Sequence, residues 1–493
     1  MTRRLNAYRS SPLSPAVLLL VLWIVHSARW IWIAGFGDYG WTYESAARIA
    51  NHQVQYRDFI STLPPLTSYA MAPLYLALHG SLWSWHLQLY LWWGFALFVG
   101  LAVASELGMS HVNQMVVVVV ATCISYPAAT LGHSYNYAAT AFAGLSLVLL
   151  LRWNTSGSAR TLFLAGGSAG LCFLAKQNVG GICILTAFVT VFLLQPLYRR
   201  RIAIWKLLCL LGSGVLTSLA PPALYFIVYA GPKEFLLQFL VDAGKGKGGI
   251  LTVLGRPIPR IILAGGPTRR LEVVLSVVLL CVWIYFALRI VRRTIRQISP
   301  ANNVQNSTPV WPRGVLVAVG LVVSFSLLSL SNMPAVNEAL TSLRLSVVEN
   351  YFHSMLTVLY SLTVYYAAAA ALLTRGKWRS MGGVVILWAI SISYAHATSL
   401  LMYFAFAAPL AVVLVLSIAE ILGHSSLVRS LVLSAGIVGF LVSILFPPYA
   451  CTFCRLEQMP QLGAFAGLYA PTAYVRFVED MDMHVSSVIS GKP

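Results

Sequence analysis

Apolar runs of about 20 residues, separated by short basic loops, recur along this chain from end to end. A run of that length crosses the hydrocarbon core of a bilayer as one helix. It must be a helix, because inside lipid every backbone N–H and C=O has to be satisfied within the segment itself. Such runs fall near residues 14–36, 84–105, 112–128, 136–152, 160–176, 178–197, 205–229, 272–291, 314–332, 354–373, 382–396, 399–418 and 428–446, thirteen in all. The expected fold is therefore an all-α polytopic membrane protein, integral and multi-pass. Only 10% of the 493 residues are charged, whereas soluble domains run near 25%.

The net charge of +19 invites a nucleic-acid reading, but the basic residues sit in short loops between spans, where they set orientation. Placing the N-terminus in the cytoplasm puts four dense clusters on that side: Arg152 with Arg160; Arg199 to Arg201 with Lys206; Arg289, Arg292, Arg293 and Arg296; and Arg375, Lys377 and Arg379. An odd number of spans then leaves the C-terminus outside. Arg3, Arg4 and Arg9 precede the first run without a small-residue cleavage site, which reads as an uncleaved anchor. The expected layout is a transmembrane unit over 1–446, with outer loops at 37–80 and 230–271, a cytoplasmic linker at 297–313 and a short outer tail at 447–493. Asn302, Asn303, Gln305, Asn306 and Ser307 make that linker polar, and it joins an eight-span half to a five-span half.

On this topology only Glu106 and Glu420 of the 14 acids are cytoplasmic, so the outer face is where a polar site would lie. Asp38, Glu44 and Asp58 fall within 21 positions in the first outer loop. Polar groups beside a bilayer are costly and often functional. Trp41, Tyr43, Tyr56 and Tyr69 are residue types that anchor short helices at the interface, and Pro64–Pro65 divides the loop. Lys176-Gln177-Asn178 lies some 16 residues beyond Arg160, about 24 Å of helix, at the outer end of a tight hairpin. A lysine at that depth either meets an anionic partner or snorkels to the interface.

The first loop, from Gly-Asp-Tyr-Gly-Trp-Thr-Tyr-Glu through Tyr-Arg-Asp-Phe to Leu-Pro-Pro-Leu, resembles the first extracytoplasmic loop of GT-C superfamily glycosyltransferases. These include protein mannosyltransferases and aminoarabinose transferases, which use polyprenyl-phosphate-linked sugars. The resemblance covers about the first 200 residues, and beyond them only the pattern of spans. It implies that Asp38 is the catalytic base and that Lys176 sits beside the lipid phosphate. Some members carry an Asp-Glu pair; here Tyr39 follows Asp38 and the next acid is Glu44.

Further candidate substrate contacts are Glu44, Arg57, Asp58 and Gln177, then Lys245 and Lys247 in the flexible Gly244–Gly249 run, and Arg270. Glycine-rich backbone with lysine can cradle a phosphate or hold anionic headgroups. His133, His353 and His396 share a predicted level near the outer face, either as structural histidines or as contacts to sugar or phosphate. No metal-ligand spacing is present, so no dedicated zinc site is expected; no cofactor is required, and a divalent cation is left open. Cys123, Cys172, Cys183, Cys209 and Cys281 lie in apolar runs as core residues, while Cys451 and Cys454 could form a disulfide outside the last span.

The reading is a glycosyltransferase that moves a sugar, with inversion, from a polyprenyl-phosphate donor to a hydroxyl on a glycan, lipid or protein acceptor. Its partners are that donor, the acceptor and membrane lipids, with no nucleic acid, at a bacterial inner membrane with the site facing outward. The alternative is a transporter or flippase of a lipid-linked or small anionic substrate. Broken spans with internal charges would favour transport, and His26 and Arg29 are the exceptions to a pattern that keeps charges at span ends. The topology is open to direct test: reporter fusions after Arg201 and after Cys454 should label opposite sides of the membrane, and labelling of the same side would overturn the orientation.

Overall fold

The computed structural model describes residues 14–30, 39–129, 134–194 and 203–242, together with 388, 391, 409–410, 412–413, 416, 456–458, 469–471 and 475–476. Ten α-helices follow one another through the first half: α1 (Pro15–Trp30), α2 (Tyr39–Ala50), α3 (Pro65–Ala77), α4 (Trp83–Glu106), α5 (His111–Ala129), α6 (Ser134–Ser156), α7 (Ala159–Ala175), α8 (Gln177–Leu194), α9 (Ile204–Tyr229) and the single turn α10 (Pro232–Leu236). A π-helical turn, Leu237–Asp242, continues from α10. Among these, α4, α6 and α9 are long and apolar enough to cross a membrane, and α1, α5, α7 and α8 are apolar over shorter stretches. The first seven expected spans each hold a helix. The expected count of thirteen rests on residues outside the described ones.

Helix α6 is the centre of the bundle. It is buried on nearly every side, from Tyr135 and Asn136 through Leu150, Leu151 and Trp153, and it packs against α4 and α7. Helix α7 is in turn held between α6, α8 and α9. Its sequence explains how closely. Gly166 and Gly170 stand one turn apart, and a Cβ added at Gly166 would lie 2.0 Å from the Leu211 carbonyl oxygen of α9. The reverse holds from α9, where a Cβ on Gly214 would meet the Phe163 carbonyl oxygen at 2.0 Å. The two backbones therefore touch, which in lipid is how helices gain dispersion contact without a hydrophobic drive. Serines add polar ties to α7 from both sides: Ser146 Oγ of α6 donates to the Ala165 carbonyl at 2.8 Å, and Ser218 Oγ of α9 to the Gly167 carbonyl at 2.9 Å.

The alternation of helices gives the bundle two ends. At one, Arg152 pairs with Glu106 at 2.7 Å. The other carries the starts of α4, α6 and α8, the ends of α7 and α9, and the α2–α3 segment. Parts of the second half enter the same core: Trp388 is fully buried and donates to Thr190 Oγ1 of α8 at 2.8 Å, and Leu410, Val413 and Leu416 join the main apolar cluster.

The expected helical architecture holds among the described residues, apart from one short antiparallel ribbon of β1 (Leu456–Gln458) with β2 (Tyr469–Pro471). They lie beyond the last expected span, where backbone need not satisfy itself inside a helix. Cys209 is exposed rather than in the core, since α9 turns part of its surface away from the bundle, as its exposed Leu216, Leu224 and Val228 also show. Tyr56 is no interface anchor: it is 1% exposed.

The close α7–α9 contact makes a prediction. Gly166→Ala and Gly214→Ala should each destabilise the protein by at least about 1–3 kcal/mol through overpacking. Gly212→Ala, whose Cβ would meet nothing nearer than Phe188 Cζ at 3.6 Å, should be neutral or slightly stabilising. Thermal unfolding in detergent reads the difference, and equal effects at all three would remove the contact as a determinant.

Candidate active site

The end of the bundle that carries Lys176 is assembled from three separate stretches. Helix α7 stops at Ala175, Lys176 takes an extended backbone (φ −157°, ψ 114°), and α8 begins at Gln177. The turn is this short because Gly180 lets α8 lie against α7: a Cβ there would fall 2.0 Å from Phe173 Cα. Lys176 itself is 4% exposed. Its Nζ donates to Asn136 Oδ1 at 2.5 Å and lies over the Tyr135 ring, 5.7 Å from the centroid. A snorkelling lysine would place its ammonium in the aqueous interface, and this one is turned into the protein. Burying an ammonium costs several kcal/mol. Asn136 offers it a lone pair but no charge, and a ring face adds about 0.5–2 kcal/mol.

Gln177 ties the hairpin to its neighbours. Its Nε2 donates to the Phe239 carbonyl at 3.1 Å and to the Thr62 carbonyl at 3.3 Å. Gln238, in the π-helical turn, works from the opposite side: its Oε1 accepts from Ser61 N at 3.0 Å and its Nε2 donates to the Tyr56 carbonyl at 3.0 Å. Two glutamine amides thus join the α2–α3 segment, the α7–α8 hairpin and the chain leaving α9. π-helical turns recur at functional sites.

The loop so held is compact. Tyr56 has φ +72°, a left-handed conformation that costs a bulky residue roughly 1–2 kcal/mol. Packing compensates. Its ring meets Phe226 edge-on at 4.9 Å and Phe235 at 5.5 Å, and its hydroxyl donates to the Leu63 carbonyl at 3.0 Å. Burial holds the phenol pKa well above its ordinary value, so Tyr56 remains a donor at any working pH. Gln55, fully buried, donates to Ser61 Oγ at 2.9 Å and to the Leu63 carbonyl at 2.8 Å.

The charged residues of the loop are engaged with one another. Glu44 pairs with Arg48 one turn along α2, at 2.7 Å and exposed. Arg57 grips Asp58 through both oxygens, at 2.8 and 2.9 Å, and Asp58 also accepts the Val54 N–H at 2.7 Å. The hydrogen bond from Arg57, then that from Val54, lowers the Asp58 carboxyl to about 2. Of the candidates named from sequence, the structure brings Lys176 and Gln177 into this assembly beside the loop that carries Arg57 and Asp58. Asp38, His133, Lys245, Lys247, Arg270, His353 and His396 lie outside the described residues, as do Cys451 and Cys454. Among the described residues no group of three or more His, Cys, Asp or Glu gathers as a metal site would require.

Sequence reasoning missed Asn136, Tyr135, Ser61 and Gln238. A signal existed for Asn136, in the polar Ser-Tyr-Asn-Tyr opening of an apolar run, and for Gln238, alone among Phe and Leu.

No family model matches the chain, and no curated protein matches it in sequence. Among solved structures, ArnT from Cupriavidus metallidurans bound to undecaprenyl phosphate is similar at a TM-score of 0.38 and 14% identity, covering 81% of this chain and 76% of that one. The same protein in the apo state reaches a TM-score of 0.41 at 14% identity, over 83% and 78%. Likeness this loose fixes neither the fold nor the role of any residue.

The Asp58 contact has a pH signature. A carboxyl lowered in the folded state stabilises above its unfolded pKa, near 3.9, and that stabilisation is lost as pH falls from about 4 towards 2. Asp58→Asn should therefore loosen residues 51–64 at neutral pH, read as faster amide exchange, with the difference from wild type shrinking below pH 4 and vanishing only as pH falls through about 2. A difference independent of pH would mean that the charge is not what holds the turn.

Proposed function

We propose that this chain is a membrane glycosyltransferase that takes a sugar from a polyprenyl-phosphate donor. The observation that carries the reading is the buried ammonium of Lys176, held by a neutral amide at the end of the bundle where the first outer loop docks. A buried cation at that depth is suited to an anionic group that arrives with substrate. The first-loop resemblance supplies the rest of the reading, and the membrane-length helices are consistent with a lipid-borne substrate.

In this reading the acceptor hydroxyl attacks the anomeric carbon as Asp38 takes its proton. The carbon–oxygen bond to the lipid phosphate breaks with inversion, and the electron pair leaves on the phosphate oxygen. Lys176 stabilises the charge that develops there, an electrostatic contribution strongest in a site that excludes water. Arg57 is committed to Asp58 in this structure, so Lys176 is the principal phosphate contact among the described residues.

The test is incubation of the purified protein with radiolabelled polyprenyl-phosphate sugars and membrane extract as acceptor. Transfer should be seen with wild type. Asp38→Asn should fall by about 10²–10⁴ in rate while remaining folded, and Lys176→Ala should sharply raise the donor concentration required. A fully active Asp38→Asn would remove the base assignment, and no transfer from any such donor would remove the reading.

A further inference from the structure

The outer end of α9 carries aromatic rings of two kinds. Phe226 is 2% exposed and belongs to the cluster that buries Tyr56. Tyr225 and Tyr229, one turn apart, are 38% and 53% exposed. Their rings meet at 4.9 Å, tilted by 42° rather than stacked, and the Tyr69 ring of α3 meets Tyr225 edge-on at 6.2 Å. Tyrosines at a span end commonly anchor it in the membrane interface, which takes only a ring among headgroups. Here a guanidinium stands with the rings as well, because Arg57 interacts electrostatically with Tyr225. Arg57 commits two of its five N–H donors to Asp58. Its other three meet no acceptor among the described residues, and its side chain is 47% exposed. Asp58 cancels its charge. The surface is thus aromatic, rich in donors and without net charge at this pair, and a ligand reaches it with no rearrangement of the chain.

We propose that Tyr225, Tyr229 and Arg57 form a binding surface for a neutral saccharide. A sugar ring presents C–H bonds on a face and hydroxyls around its rim. The face packs on an aromatic ring, and the hydroxyls take the planar guanidinium fork and the phenol groups. An anionic lipid headgroup would instead draw its binding from an unneutralised cation, and Asp58 removes that gain. The surface shares the α2–α3 segment that Gln177 and Gln238 tie to the α7–α8 turn and to the chain leaving α9, so a sugar bound there lies at the end of the bundle that carries the candidate site. On the reading above, which this extends, it is the acceptor that docks here, and the acceptor is narrowed to one that carries a sugar. The binding itself does not depend on that reading.

The full chain is purified in a detergent without a sugar headgroup, and saturation-transfer NMR is recorded with the methyl glycosides of glucose, mannose, galactose and N-acetylglucosamine. At least one glycoside should receive saturation at the C–H protons of one ring face; none receiving it overturns the proposal. Tyr225→Ala combined with Tyr229→Ala should weaken that glycoside about 10-fold. Tyr225→Phe combined with Tyr229→Phe keeps both rings and should retain the ring-face saturation, and its loss there would overturn the stacking contact even if the alanine variant fails to fold. Trp205, at the opposite end of α9 and 73% exposed, is the control: Trp205→Ala should bind as wild type, and an equal loss would mean adhesion to exposed rings at large and overturns the proposal. If the tyrosine variants keep the glycoside and lose co-purifying anionic lipid instead, the rings are an interface anchor and the proposal falls. If wild type transfers sugar but binds no glycoside through these residues, this inference falls and the enzyme reading stands. If glycosides bind through them and no sugar is transferred from any polyprenyl-phosphate donor, the surface stands and the enzyme reading falls.

Discussion

The backbone contact between α7 and α9 is the constraint on which the rest of this end of the molecule depends. With Gly166 and Gly214 each facing a carbonyl oxygen, the two helices approach as closely as two helices can, and nothing larger fits. Helix α7 is thereby fixed along its length, and so is the point at which it stops. Gly180 repeats the device on α8. The turn at Lys176 can then be one residue long, and the lysine is directed inward against α6 instead of following the chain out to the interface.

A buried lysine is the expensive part of this arrangement. One partner of Lys176 in the structure is the Asn136 amide, and that has chemical consequences. A carboxylate at position 136 would neutralise the ammonium permanently and repel any anion brought near it. Asn136 accepts from the ammonium and adds no charge of its own.

The segment between α2 and α3 is docked by amides and rings. Gln177 and Gln238 reach backbone groups at Tyr56, Ser61, Thr62 and Phe239, and Tyr56 accepts an unfavourable backbone conformation to place its ring among Phe226, Phe235 and Phe239. Because backbone atoms carry these bonds, the link between loop and hairpin constrains where the chain runs rather than which side chains it displays. The segment between α2 and α3 is in this way tethered to the turn that carries Lys176.

What the sequence determined by itself follows from rules that act on any chain in lipid. Runs of about 20 apolar residues must be helices, Pro64–Pro65 must divide the first loop, and Lys176 must lie at a helix end, because its distance from Arg160 is a matter of rise per residue. Only the tertiary structure decided which way those residues face. Tyr56 reads as an interface residue because tyrosine is amphipathic; the three phenylalanines that bury it come from 170 or more positions later in the chain. Asn136 reads as a polar residue at the start of a span until α7 is placed beside it, 40 positions on. Composition and spacing record what each segment needs from lipid and water, and they carry no record of which segment meets which. That is settled by close packing at a few glycines, and the candidate site is a product of that packing.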